Sequence, residues 1–231
     1  MLRTCFWLLL LSSTRLFAQS QVPFDDQIGA WYMYFYTHRF ADGPWGIQGD
    51  AQYRNWNLGG DLEQLLLRSG LTYSPAEANI TFTLGYANVT TGVQGNSDAT
   101  SGESRIYQEA LFPQRIGSRF LLTHRLRYEQ RWVEGQDFRT RYRYNLFLNV
   151  PLNATELARG TVYVALYNEL FVNGQLAIGD GRSVQYFDRN RTYLGLGYGL
   201  RDNLRTQLGW MKQTTAGRAK GQLQVSLHHA W

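Results

Sequence analysis

The chain has 231 residues, 44% hydrophobic and 15% aromatic, with 23 basic against 18 acidic side chains. Without Arg3 and Arg15, which lie in an N-terminal segment read below as cleaved, the net charge falls to about +3, too weak for the basic face that nucleic-acid binding needs. The only cysteine, Cys5, falls in the same segment, which excludes disulfides, thiolate metal sites and cysteine nucleophiles from the rest.

In chain order, residues 1–20 read as a signal peptide: Arg3 precedes the apolar run 5–11, and Phe17-Ala18-Gln19 follows as a small-residue exit, with cleavage after Ala18 or Ser20. The run is too short to cross a bilayer as a helix, and past residue 20 nothing approaches the roughly 18 consecutive apolar residues of a transmembrane helix. No linker or low-complexity tract divides residues 21–231, which read as one outer-membrane β-barrel domain.

Within that domain, hydrophobicity alternates with a period of two in eleven stretches separated by turn residues: 28–40, 45–56, 62–73, 80–89, 105–112, 119–133, 138–150, 161–172, 185–200, 204–212 and 221–231. Successive side chains of a strand point to opposite faces. In 28–40, Trp31, Met33 and Phe35 leave both faces apolar. In 45–56, Trp45, Ile47 and Tyr53 alternate with Gln48, Asp50, Gln52 and Arg54. The stretch 119–133 sets Phe120, Leu122, His124, Leu126, Tyr128 and Trp132 against Thr123, Arg125, Arg127, Glu129 and Arg131. The next opposes Phe138, Tyr142, Tyr144, Leu146 and Leu148 to Arg139, Arg141, Arg143 and Asn145, and in 185–200 Leu194, Leu196 and Tyr198 alternate with Arg189, Arg191, Tyr193 and three glycines.

Alternation suits a soluble barrel, polar outside, and a membrane barrel, which inverts the arrangement. Residue identity favours the second. Past residue 20 the only lysines are Lys212 and Lys220, and arginine is preferred where cations are enclosed with carboxylates. Aromatics gather near strand ends, where a membrane interface suits them. Connections alternate between short (116–118, 201–203) and long (91–104, 173–183), and the chain stops on Leu223, Val225, Leu227 and Trp231, an apolar alternation with a terminal aromatic of the kind that serves outer-membrane proteins as an assembly signal. The predicted fold is all-β, a closed antiparallel up-and-down transmembrane β-barrel of about 10–12 strands in the bacterial outer membrane. An even count is expected, so one of the eleven stretches should be a split pair or lie outside the wall.

The run Arg105-Ile106-Tyr107-Gln108-Glu109, then Arg125-Leu126-Arg127-Tyr128-Glu129-Gln130-Arg131-Trp132 and Arg139-Thr140-Arg141-Tyr142-Arg143-Tyr144, resembles a bacterial family of outer-membrane barrels known only as a domain of unknown function. Tyr167-Asn168-Glu169-Leu170-Phe171 and Asn190-Arg191-Thr192-Tyr193 carry the same resemblance, which spans essentially the whole domain. It implies the fold and no activity.

One constellation stands out: Arg125, Arg127, Glu129 and Arg131 facing Arg139, Arg141 and Arg143 across a hairpin, with Glu169, Arg189, Arg191, Asp50, Arg54 and Arg68 projecting into the same lumen. The plainer reading is an ion-pair network that fills a narrow barrel; the functional one is a pathway or site for a small anionic solute, since guanidinium groups are good anion partners. A lipid-modifying enzyme would need a nucleophile and base in reach. His124, near Ser118 and Ser69 in the reading, belongs to the lipid face, and His228 shares the lumen face with Ser226; neither is assigned a catalytic role. Asp98, Glu103 and Asp180 are read as loop residues without metal-ligand spacing, and no cofactor is expected. The Asn-x-Thr triplets at Asn79, Asn88 and Asn153 read as chance. The expected function is a structural or passive small-solute barrel, partnered by the outer-membrane bilayer and its assembly machinery; the alternatives are a membrane-embedded lipid hydrolase or acyltransferase, and a soluble secreted ligand-binding barrel.

Overall fold

The structure, a computed structural model, describes residues 28–231; the predicted signal peptide and Cys5 lie outside them. Among the described residues there are eleven strands: β1 (Gly29–Arg39), β2 (Trp45–Asn55), β3 (Leu62–Tyr73), β4 (Thr81–Gly92), β5 (Thr100–Ile116), β6 (Phe120–Val133), β7 (Arg139–Pro151), β8 (Val162–Asn173), β9 (Phe187–Arg201), β10 (Leu204–Thr214) and β11 (Ala219–Ala230). Each pairs with its chain neighbours in antiparallel fashion, and β1 pairs with β11 to close an all-β barrel.

The expected even count is wrong, and the closing pair shows why. β1 and β11 run parallel, from Gly29 opposite Gln222 to Thr37 opposite Ala230. Evenness is required only if every pair is antiparallel; a parallel ladder satisfies the two edges equally well and removes the free edge. None of the eleven stretches is a split pair. The start of β1 and the end of β11 therefore lie at opposite ends of the barrel.

Strand β5 departs most from the sequence reading. It runs for 17 residues, whereas residues 91–104 read as a loop and the strand as 105–112. Thr100 to Gly102 carry no apolar alternation, yet they pair with β4 as far as Thr100 opposite Gly92. At the other end the strand continues through Pro113, which faces Thr123 of β6. Length here is imposed by the partners on either side, with which long-range pairing overrides local propensity.

Side chains sort by face as the alternation predicts. Leu84, Leu126, Tyr142, Leu194, Leu196 and Leu208 are about half exposed on the outer surface, whereas Arg127, Glu129, Arg141 and Glu169 are buried. β1 resolves its two apolar faces by sending Trp31, Met33 and Phe35 inward, where Trp31 packs with Tyr163, Ala165, Tyr193 and Met211. Leu157, in the β7–β8 connection, packs against that cluster.

This apolar side of the lumen depends on glycine. Tyr163 of β8 lies opposite Gly197 of β9, and a Cβ on Gly197 would fall about 2.1 Å from the Tyr163 ring. The tyrosine therefore lies flat over a strand with no side chain beneath it, as aromatic rings do when they cover glycines in strongly curved sheets. Tyr107 over Gly85 repeats the arrangement on β5 and β4. Gly197→Ala should destabilise the barrel by roughly 1–3 kcal/mol through overpacking, and most of that loss should vanish in a Tyr163→Ala background. Urea unfolding of the four proteins of the double-mutant cycle measures it; additive losses would mean that the ring and the glycine are not coupled.

Candidate functional site

The inward faces of β5, β6, β7, β8 and β9 build a band of charge across the lumen. Its centre is Glu129, 1% exposed. Oε2 accepts from Arg141 Nη2 at 2.6 Å and Nε at 2.9 Å, and Oε1 accepts from Arg143 Nη1 at 2.6 Å. Arg105 and Arg127 stand 3.9 Å away, so one carboxylate serves four guanidinium groups. The two bonded arginines come from the facing strand because Glu129 lies opposite Arg141 in the β6–β7 register.

Glu169 of β8 is the second hub. It accepts from Arg125 at 2.7 Å and from Arg143 at 2.5 Å, and stands 3.9 Å from Arg191. Arg141 also donates to Asp188 at 2.9 Å, and Arg189 pairs with the same carboxylate at 3.1 Å. Arg139 is buried beside them with no carboxylate in ion-pair range among the described residues, and its Nε has no hydrogen-bond partner. The hairpin arginines and Glu169, Arg189 and Arg191 are thus brought to one place in the lumen.

Three acids of the band were not singled out from the sequence. Glu103 reads as a loop residue, but it lies in β5, where it binds Arg105 at 2.7 Å and Arg131 at 2.5 Å. Glu109 pairs with Arg127, accepts from Gln48 at 2.8 Å and lies 3.7 Å from Arg125. The third is Asp188. The alternation Glu103, Arg105, Tyr107, Glu109 carried the signal: a period of two, upstream of the apolar stretch and on one face. Phe171 was missed in a different way. It is 1% exposed, and the guanidinium groups of Arg141, Arg143, Arg189 and Arg191 lie 4.5–5.8 Å from its ring centre. An aromatic face attracts cations electrostatically and shields them from one another.

Cations exceed acids in this interior. Among the described residues, nine arginines and Lys220 are buried against five buried carboxylates. Aromatic faces and amides take the surplus: Arg54 lies 3.9 Å over Trp31 and binds Gln52 and Gln64, while Arg191 stacks on Trp31 and Phe171 and donates to Gln213 at 2.8 Å. Among Arg54, Arg105, Arg131, Arg141 and Glu103 only about 50 Å³ of space remains. Toward the end where β11 finishes, the lumen widens into a cavity of about 370 Å³.

The remaining candidates stand apart from the band. His124 is on the outer surface, bonded to Tyr144 Oη at 2.8 Å and Gln114 at 3.2 Å. Ser226 Oγ and His228 Nε2 are 2.9 Å apart and line the larger cavity, with Phe35 stacked on the imidazole. The residue across from His228 on β10 is Arg205, so the imidazole faces a cation where a catalytic base would use an orienting acid. Trp231 is half exposed and packs against His229, His38 and Tyr36. No group of His, Cys, Asp and Glu suited to a metal occurs among the described residues.

Removing one partner of a buried pair leaves an uncompensated charge and costs roughly 3–5 kcal/mol. Glu129→Gln should lose stability on that scale, because it strands Arg141 and Arg143 together. Arg127→Gln should lose clearly less, since Glu109 keeps Arg125 and Gln48. Urea denaturation of both variants and wild type checks the order; equal losses would mean that the carboxylates are not the limiting charges.

Neither the search of curated proteins nor that of solved structures found a match. Residues 28–224, the barrel from its first strand into its last, match the family model described as "Protein of unknown function (DUF2490)", and the chain belongs to that family.

Proposed function

We propose that the protein is an integral barrel of the bacterial outer membrane whose lumen is closed by its own ion pairs. The observation that carries this reading is the inversion of polarity. Apolar and aromatic side chains such as Leu84, Leu126, Tyr142 and Leu196 stand about half exposed on the outer wall, while the charged residues are gathered inside. In water such a wall would be one contiguous apolar surface, far larger than a soluble monomer tolerates. In a bilayer it is the lipid-facing band, and a closed barrel satisfies every strand edge there. The partners of this reading are the bilayer and the assembly machinery, with Trp231 at the end of β11 as the recognition signal. An export signal in residues 1–20 fits the same route.

Closed barrels resist detergent until boiled, so an unboiled sample should migrate differently from a boiled one and fractionate with the outer membrane. Leu126→Arg puts a charge on the outer wall at a cost of roughly 2–4 kcal/mol near mid-membrane. Thr123→Arg adds one to the polar lumen, so it should insert far better. Recovery of wild type in the soluble periplasm, or equal insertion of the two variants, would overturn the membrane reading.

A passive anion pathway is the second reading, favoured by the surplus of arginine inside. Against it stands the narrowness of the band around Glu103 and Arg131, where only about 50 Å³ of space remains. Planar-bilayer recording separates the two. The closed barrel should give no steady conductance, whereas an anion-selective current that loses its selectivity when Arg127, Arg141 and Arg143 are neutralised together would establish the pathway.

A further inference from the structure

The cavity beside the charge band is lined by two unlike kinds of group, the rings of Trp31, Phe35, Phe147, Tyr167 and Tyr193 and seven arginines against three carboxylates. Its volume of about 370 Å³ falls within the range of small-molecule sites, which are mostly apolar with a few placed polar groups. One of its cations is not engaged by an acid. Arg127 is engaged: Nε and Nη2 turn to Glu109, and Nη1 stands 3.9 Å from Glu129. Arg205 is half-buried, lines the cavity and has no carboxylate in ion-pair range among the described residues. The lining also includes the exposed Thr37 near the end of β1, which gives the cavity a way in from the end where β11 finishes.

Each simpler occupant leaves half of this lining unsatisfied. A neutral apolar molecule would desolvate guanidinium groups without pairing them, which is costly. A small inorganic anion would pair them but leave the aromatic lining wet. We propose that the cavity binds an organic anion with a flat apolar body, a carboxylate or an equivalent acid, whose ring lies against the aromatic lining and whose charge is met by Arg205. Guanidinium groups bind carboxylates bidentately, and stacked aromatic rings add attraction beyond buried area. The inference concerns the interior alone and holds whether or not the outer wall sits in a membrane.

The test is calorimetric titration of the detergent-solubilised barrel, first shown to be folded by its unboiled mobility, with the detergent blank subtracted. Three probes separate the two halves of the claim: 1-naphthoate, its neutral counterpart naphthalene-1-carboxamide, and acetate. Naphthoate should bind saturably at one site, the carboxamide at least about ten-fold more weakly, and acetate without saturation. Arg205→Gln should weaken naphthoate about five-fold or more, while Arg182→Gln, exposed in the 174–186 connection at the opposite end, should bind like wild type. The proposal is overturned if folded wild type does not saturate with naphthoate, if the carboxamide or acetate matches it, or if Arg205→Gln binds like wild type.

Discussion

The rest of the interior depends on one constraint: a narrow lumen encloses more cations than carboxylates and must neutralise them with what it holds. Glu129 shows how tight this is, since four guanidinium groups converge on a single carboxylate that is almost wholly buried. Arginine suits such a place because its planar fork can bind two carboxylates at once, as Arg143 does with Glu129 and Glu169, and because it stacks on rings. Lysine, a compact and strongly hydrated charge, could not bridge them in the same way. Where carboxylates run out, Phe171 and Trp31 stand in, so their aromatic identity belongs to the electrostatics as much as to the packing.

Register is what delivers the charges to one another. Glu129 faces Arg141 and Asn145 faces Glu169 because β6, β7 and β8 are in the observed alignment. A slip of one residue would turn the charges out and the leucines in. The band therefore fixes the same alignment that the outer wall requires, and the two demands reinforce each other along every strand. Closure makes a separate demand, to join β1 to β11, and it is met by a parallel ladder.

The period of two was legible almost everywhere, because burying one face of a strand and greasing the other leaves an alternation that no turn or helix mimics. Hence the eleven stretches and the arginine face of β6 and β7 stand in the sequence. The extent of β5 does not, since Thr100 to Gly102 are extended by their partners and not by their own pattern, and with that extension went Glu103. Strand parity was hidden for a related reason: it is decided where the two ends of the chain meet, and no local pattern records it. Aromatics such as Phe171 and Trp31 were legible as apolar but not as cation partners, because that role exists only once four strands bring arginines around a ring.

The unequal halves of the lumen follow from the same chemistry. On β6 and β7 the inward positions carry long charged side chains that reach across and fill the space. On β8, β9 and β10 they include Ala165, Gly195, Gly197, Gly199 and Gly209, and Tyr193 and Tyr163 lie over Gly195, Gly197 and Gly209. A wall without side chains can curve sharply but cannot fill the barrel, so the packing that serves curvature on one side leaves room on the other. That room is bounded by rings and by guanidinium groups, both inherited from structural needs. A cavity of mixed character is therefore a consequence of closing a small barrel with arginine and glycine, and the binding proposed for it requires only that Arg205 meet a charge better than water.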